Sequence, residues 1–197
     1  MKKQVIIIHG GDSFDTYEKF LDSLKNREVS LESFLPKYDW KSNLQSELGD
    51  EYEVLAPRLP NKQNAKYAEW KIWFERMFPF MKDNIVLIGH SMGGLFLAKY
   101  LSENKFPKKI AGLFLVAAPH SKTEEMGDFV PAQTLEKVWE QCQNIHLYQS
   151  EDDQVVPASE MEEYKKAWPG AKSHIFQDRG HFNQESFPEL AEEIRRN

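Results

Sequence analysis

Short apolar runs rich in β-branched residues alternate along the chain with segments of helical periodicity. This alternation is typical of parallel strands that are joined by crossover helices. Most of the runs are apolar at both odd and even positions, which indicates a sheet covered by helices on both faces. The predicted strands are residues 5–9, 52–56, 85–89, 110–117, 145–149 and 173–176. The pattern therefore predicts the α/β class with a mostly parallel sheet of about six strands.

Apolar residues at helical spacing predict the helices between these strands. Trp70, Trp73, Phe74 and Met77 recur at this spacing before Pro79, and we interpret their side chains as part of the core. Further helices are predicted around Trp40, Leu44 and Leu48 with Gly49 as a C-cap, around Leu95, Ala98 and Leu101, and over residues 160–168 and 188–195.

Two segments lie outside this alternation. Residues 11–39 are longer than a simple loop, and Asp15 with Glu18 resembles a capping pair that predicts an extra helix. Residues 120–134 follow the fourth strand and are short, so we expect no large lid over the functional site. An apolar lining of that site is expected from Phe14, Met126 and Phe129.

Length and composition predict an ordinary globular domain. A chain of 197 residues with 41% hydrophobic and 28% charged residues fits one domain over residues 1–197. No internal repeat, low-complexity tract or linker divides it. The net charge of −6 argues against binding to nucleic acid or to an anionic membrane, which requires basic patches.

The same residues limit the chemistry and the location that we expect. The single cysteine, Cys142, cannot form an internal disulfide, and we interpret it as a partly buried helix residue rather than a catalytic thiol. Neither a metal nor a cofactor is expected. The apolar run after Lys2 and Lys3 is too short for a signal peptide, and no stretch approaches the roughly 18 apolar residues that span a bilayer. We therefore expect a cytoplasmic protein.

The strongest local motif is Gly-His-Ser-Met-Gly at residues 89–93. A buried strand is predicted before it and a helix after it, which is the strand-turn-helix context of the nucleophile elbow in α/β-hydrolases. Glycines allow a tight turn that projects the serine hydroxyl above the sheet. Ser91 is therefore the candidate nucleophile.

A serine hydroxyl is a weak nucleophile and needs a base that a third group orients. In the α/β-hydrolase fold the chain order is serine, acid, histidine. Asp152 and Asp153 follow the fifth predicted strand, and His181 follows the sixth. We choose Asp153 as the acid because its spacing to Val156 and Pro157 resembles that of α/β-hydrolases, and Asp152 stays the alternative.

The other five histidines are weaker candidates for the base. His9 and His90 belong to the motifs beside the expected site, while His146 and His174 lie at strand starts, the wrong end of the sheet. His120 lies near the expected pocket rim, where a structural or substrate-lining role is favoured.

Acyl transfer also requires two N–H donors for the developing oxyanion. Met92, directly after the nucleophile, is expected to supply one donor. The sequence His9-Gly10-Gly11 resembles the oxyanion loop that follows the first strand of the fold, so we expect the second donor from Gly11, with Asp12 as the alternative.

Together these motifs resemble the small serine hydrolases grouped with retinoblastoma-binding protein 9 and the bacterial YdeN-type hydrolases. The resemblance spans nearly the whole chain, although residues 11–39 are longer than expected for the family. It implies an α/β-hydrolase with little or no lid and no cofactor, acting on esters or on small amides and peptides. The motifs that carry it are His9-Gly10, Leu59-Pro60 followed by Trp70, residues 89–93, Asp152-Asp153 before Val156-Pro157, and Gly180-His181.

The leading hypothesis is a serine hydrolase with the triad Ser91, His181 and Asp153 that cleaves a small ester or amide. One alternative is a catalytically silent protein of the same fold that acts through partner contacts, since fold does not dictate function. Another is an acyltransferase that uses the same triad with a different acceptor. A protein partner is possible, but no feature of the sequence indicates one. Asp12 and Asp15 could attract an amine-bearing substrate.

Overall fold

The computed structural model describes residues 2–36, 38–120, 124–131 and 134–197, and gives the backbone alone at residues 32, 124 and 125. The strands are β1 (Lys3–Ile8), β2 (Tyr52–Leu55), β3 (Ile85–His90), β4 (Ile110–Val116), β5 (Ile145–Ser150) and β6 (Lys172–Phe176). The α-helices are α1 (Tyr17–Asn26), α2 (Trp40–Leu48), α3 (Tyr67–Glu75), α4 (Met92–Glu103), α5 (Glu136–Gln141), α6 (Ser159–Ala167) and α7 (Pro188–Arg195). Short 3-10 helices lie at Leu31–Phe34, Phe78–Phe80 and Glu124–Phe129. All six predicted strands are confirmed to within two residues at each end.

The strands form one parallel sheet in the order β2-β1-β3-β4-β5-β6. Val5 pairs with Val86 between β1 and β3, and Leu115 pairs with Leu147 between β4 and β5. The chain moves outward from β1 to β2 and then returns to the other side of β1, so the direction of winding reverses between β1 and β3. Open parallel sheets bind ligands at the carboxyl ends of the strands beside such a reversal.

Helices cover both faces of the sheet, as predicted. On one face Trp70, Phe74 and Phe96 from α3 and α4 belong to a core that also includes residues of α5 and α6. On the other face Trp40 of α2 and Leu190 of α7 pack against the sheet. Because helices cover both faces of the sheet, most strand side chains are apolar whichever face they point to.

Helix α3 is shorter than its aromatic pattern suggested. It ends at Glu75, so Met77 lies beyond it and Pro79 lies in a separate 3-10 turn. Trp70 and Phe74 are fully buried, whereas the Trp73 side chain is 45% exposed. The prediction that Trp73 belongs to the core is therefore wrong, because Trp73 directly precedes the buried Phe74 and consecutive residues of a helix point about 100° apart.

The structure also tests the predicted C-cap of α2 and the predicted position of Cys142. Gly49 caps α2 with a φ of 78°, and its N–H donates to the Gln45 carbonyl, as predicted. Cys142 is buried but directly follows α5 instead of lying in it. Burial raises the pKa of its thiol to about 11, which keeps the group protonated and unreactive.

The extra helix predicted within residues 11–39 is present as α1. Its N-cap is Thr16, whose hydroxyl accepts the Lys19 N–H, so the assignment of Asp15 to the cap is wrong by one position. None of its residues is buried, and α1 lies on the surface.

The segment of residues 120–134, where we expect no large lid, is described only in part. Residues 121–123 and 132–133 lie outside the described residues. No helix within the described ranges has both the length and the apolar composition needed to cross a membrane.

Candidate active site

Ser91 lies in the tight turn between β3 and α4. Its N–H donates to the Val116 carbonyl at 2.8 Å, and its own carbonyl accepts the Gly94 N–H at 2.8 Å, so both sides of the residue are held. The backbone of Ser91 has φ 54° and ψ −127°, a conformation that residues other than glycine rarely adopt. Such a conformation costs about 1–3 kcal/mol and persists only where the surrounding structure enforces it. The strand, turn and helix expected around this motif are present.

The turn can be this tight because α4 packs directly on β1. A methyl group built on Gly93 would lie 2.2 Å from the Ile8 carbonyl oxygen, which is closer than two such atoms can approach. Glycine at this position lets the helix start beside the sheet. The packing brings Ser91 to the end of β1.

Asp153 and His181 come together from the ends of β5 and β6. The His181 Nδ1 atom lies 2.9 Å from Asp153 Oδ2 and 3.2 Å from Oδ1. The Asp153 side chain is fully buried, and the His181 side chain is 14% exposed. The ionised carboxylate requires Nδ1 to carry a proton and donate it, which leaves Nε2 as the basic nitrogen.

Hydrogen bonds keep the buried Asp153 carboxylate ionised. Burial alone raises the pKa of this group, but the bond from His181 and the bonds from the Val156 and Val155 N–H groups outweigh it. The two backbone bonds reach Oδ1 at 3.0 and 2.8 Å respectively. The net result is a pKa below the usual value for aspartate.

Asp152, the alternative acid, makes no hydrogen bond to His181 within the described residues. Its carboxylate is exposed and accepts the Ser150 hydroxyl and the Gly180 N–H. These two bonds lower its pKa. Asp152 therefore holds the turn just before His181, and the two neighbouring aspartates have separate structural roles.

His90 and Trp40 also position the loop that carries His181. The His90 Nε2 atom lies 2.9 Å from the His181 carbonyl oxygen, and the two imidazole rings lie 5.0 Å apart between centroids. Burial lowers the pKa of His90 well below its usual value, so the neutral ring donates this bond. The Trp40 indole N–H donates to the Phe182 carbonyl at 2.9 Å. Sequence reasoning missed both roles, although the position of His90 directly before Ser91 was a usable signal.

Ser91 and His181 both lie at the carboxyl edge of the sheet, but no hydrogen bond joins their side chains. Within the described residues, His181 Nε2 also bonds to no other side chain or carbonyl. Bonds between a nucleophile and its base are often loose in ligand-free sites and tighten when substrate binds. The ring therefore presents a free acceptor nitrogen beside the turn that carries Ser91.

The segment after β1 passes directly over Ser91. A methyl group on Gly10 would lie 3.5 Å from Ser91 Oγ. The Asp12 N–H donates to the Lys62 carbonyl at 2.8 Å and is therefore unavailable for an oxyanion, which excludes the alternative donor. The N–H groups of Gly11 and Met92 donate to no other group among the described residues, and both residues border the same cavity as Ser91.

This cavity has a volume of about 220 Å³ and a mostly apolar wall. Met126 lines it as predicted, whereas Phe14 and Phe129 do not. Phe129 packs against Trp70 in the core, and Phe14 packs against Phe20. The other lining residues are Gly11, Asp12, Ser91, Met92, Pro119, Val155, Val156, Pro157 and Glu160.

The acidic residues near the entrance are mostly paired. Asp12 forms a salt bridge with Arg27 at 2.7 Å, and Asp15 forms one with Lys19 at 3.6 Å. Glu160 accepts the His120 N–H. Among the described residues, no group of three or more histidine, cysteine or acidic side chains is arranged to hold a metal ion.

The chain is similar to several known proteins. The curated Serine hydrolase RBBP9 of Rattus norvegicus is 27% identical over 158 residues, which cover 73% of this chain and 77% of the rat protein. The structure of the ydeN gene product from B. subtilis superposes with a TM-score of 0.79 at 20% identity, covering 99% of this chain and 98% of the other. A YdeN-like hydrolase from Pectobacterium atrosepticum has a TM-score of 0.66 at 20% identity, covering 98% and 92%.

The structural matches establish the α/β-hydrolase fold, and the family comparison goes further. The model of the family described as Serine hydrolase matches residues 36–194, which is most of the chain and includes the segments that carry Ser91, Asp153 and His181. The chain therefore belongs to the serine hydrolase family.

Proposed function

We propose that this protein cleaves small carboxylic esters or amides through an acyl-enzyme on Ser91, with His181 as base and Asp153 as the acid that orients it. The observation that carries the proposal is the 2.9 Å contact between a buried Asp153 carboxylate and His181 Nδ1, next to a serine held in a strained turn. This contact defines the tautomer in which Nε2 can accept a proton.

In the first half-reaction, Ser91 Oγ attacks the substrate carbonyl carbon while its proton passes to His181 Nε2. The carbonyl oxygen becomes an oxyanion, and the N–H groups of Gly11 and Met92 are the donors that would stabilise it. When the carbonyl–heteroatom bond breaks, His181 gives the proton to the leaving alkoxide or amine. Asp153 stays ionised throughout and stabilises the imidazolium.

In the second half-reaction, water replaces the leaving group. His181 removes a proton from the water as its oxygen attacks the acyl carbon, and the bond to Ser91 Oγ then breaks. The same proton returns to Ser91, so the enzyme is regenerated and the carboxylic acid leaves.

The cavity beside Ser91 supports a short acyl group as the substrate. Its volume of about 220 Å³ lies below the usual range of about 300–1,000 Å³ for drug-sized ligands. Met126, Val156 and Pro157 give it an apolar wall. Acetyl and butyryl esters should therefore react faster than decanoyl esters in a panel of nitrophenyl esters.

Labelling with a fluorophosphonate probe tests the proposed nucleophile. The native protein should be labelled, and Ser91→Ala should not be. Ser173→Ala is the matched control because this serine is exposed on β6. It should be labelled like the native protein.

Two outcomes would reject the proposal. Absence of labelling in a folded native protein would favour a silent partner-binding protein, and equal labelling of Ser91→Ala would place the nucleophile elsewhere. Product analysis with an added amine or alcohol acceptor distinguishes hydrolysis from acyl transfer, because only hydrolysis releases all of the acyl group as free acid.

A further inference from the structure

A second cavity borders the same segment that passes over Ser91. It has a volume of about 530 Å³ and lies between the end of β1, the start of α2 and the loop that follows β2. Its lining residues include His9, Lys41, Arg58 and Lys62. Asp39 is its only acidic lining residue among those described.

The charges of this cavity oppose those of the whole protein. Three cationic side chains against one carboxylate leave an excess of two positive charges, although the chain carries a net charge of −6. Within the described residues, neither the Arg58 guanidinium nor the Lys62 ammonium forms an ion pair or a side-chain hydrogen bond. Two cationic residues that line one cavity are thus available to a ligand.

The third cation, Lys41, is held in place by the protein itself. Its ammonium lies 2.6 Å from Asp39 Oδ2, and its side chain is only 15% exposed. Burial is the main cause that lowers its pKa; the bond to Asp39 opposes this effect in part, and the charge of Lys62 adds to it. A partly desolvated ammonium beside a second cation is a costly arrangement that a bound anion would relieve.

We propose that this second cavity binds the phosphate group of a small organic phosphate. A phosphate monoester carries nearly two negative charges at pH 7, which matches the excess positive charge of the wall. Arginine can bind two phosphate oxygens at once, and lysine adds a point charge. The volume exceeds that of a phosphate ion and lies in the range of small-molecule sites, which leaves space for the organic part.

A ligand in this cavity would contact the groups that hold the loop over Ser91. His9 Nε2 accepts the Leu59 N–H at 2.9 Å, so Nδ1 carries the proton and donates to the Gly10 carbonyl at 2.7 Å. The Lys62 carbonyl accepts the Asp12 N–H on the other side of Gly11. Phosphate binding should therefore also affect the backbone at Gly11.

The proposal is tested by titrating the full-length protein with inorganic phosphate at constant ionic strength, followed by NMR and calorimetry. We expect saturable binding with shifts of the His9, Lys62 and Gly11 resonances. The double variant Arg58→Gln/Lys62→Gln should lose affinity by about tenfold or more, since it removes both charged hydrogen-bond donors that are free to bind phosphate. Both side chains are exposed, so the variant should fold.

Lys105→Gln is the matched control, since Lys105 is an exposed lysine in the loop before β4, away from the cavity. It should bind phosphate like the native protein, and so should Ser91→Ala, which keeps this test independent of the hydrolase proposal. Nucleoside and sugar monophosphates should bind more tightly than inorganic phosphate.

Three results would overturn the proposal. They are a linear titration without saturation, equal weakening by Lys105→Gln and by the double variant, and organic phosphates that bind no better than the inorganic ion.

Discussion

Asp152 and Asp153 are chemically identical neighbours that the fold places in different surroundings. Asp153 points inward, where two backbone N–H groups and His181 satisfy its oxygens. Asp152 points to solvent and holds the Gly180 N–H. Only the inward carboxylate can hold the imidazole tautomer.

Replacing each aspartate by asparagine should separate these two roles. Asp153→Asn removes the charge that orients and stabilises the imidazolium, so kcat should fall about 10³- to 10⁴-fold, with a much smaller change in KM. Asp152→Asn keeps a side-chain oxygen that can accept the Gly180 N–H, and it should retain most of the activity. The measurement is ester hydrolysis under steady-state conditions. Equal losses in the two variants would contradict the assigned roles.

Helix α4 and strand β1 are in direct backbone contact, and a side chain at the contact would keep them further apart. Gly93 faces the carbonyl of Ile8, and this backbone atom cannot move without shifting the central part of the sheet. The same contact sets the position of Ser91 at the start of α4. The packing of α4 and the placement of Ser91, the candidate nucleophile, are therefore one structural feature.

Gly93→Ala should reduce the free energy of unfolding by about 3 kcal/mol, the upper part of the range for overpacked cores. Gly170→Ala is the comparison, because its added methyl group meets the Trp139 ring, a half-buried side chain that can move. It should cost less than about 1 kcal/mol. Urea unfolding with an unchanged m-value measures both effects. A loss for Gly93→Ala that is no larger than for Gly170→Ala would show that the helix tolerates the methyl group.

The protein as a whole buries a stack of aromatic rings on the face of the sheet opposite α4. His146 is fully buried, stacks on Phe114 at 4.3 Å and contacts His174 at 3.1 Å. Burial is the main cause that lowers the pKa of His146 to about 4, with smaller effects from Lys172 and His174. The native state therefore keeps this ring neutral in mildly acidic solution.

Stability should consequently fall as the solution is acidified. Between pH 6.5 and 4 the unfolded chain binds a proton at residue 146 that the native protein does not, so the free energy of unfolding decreases as pH falls through this window. The full effect of this one group is about 3 kcal/mol. The lowered pKa values of His9, His90, His120 and His174 act in the same direction.

Urea unfolding at several pH values tests this expectation, with His146→Gln as the comparison. The variant should show a weaker pH dependence than the native protein between pH 6.5 and 4. Equal slopes in the two proteins would mean that His146 is not the group that takes up the proton.

Local patterns were sufficient to predict most of the architecture and the candidate nucleophile. The inner strands are covered on both faces and require continuous apolar runs, and all six strands could be located within two residues. The turn that carries Ser91 requires small residues at fixed spacing, and this requirement is visible in five consecutive positions. Both are short-range consequences of backbone geometry.

Other features depend on residues that are distant in the chain and meet only after folding. The assignment of Asp153 rests on its contact with His181, 28 positions away. Asp12 is excluded as an oxyanion donor because its N–H donates to the Lys62 carbonyl. The cationic cavity joins Lys41 with Arg58 across the end of the sheet. Neither hydrogen-bond partners nor neighbouring charges follow from local spacing, because they are set by how the strands and loops come together in three dimensions.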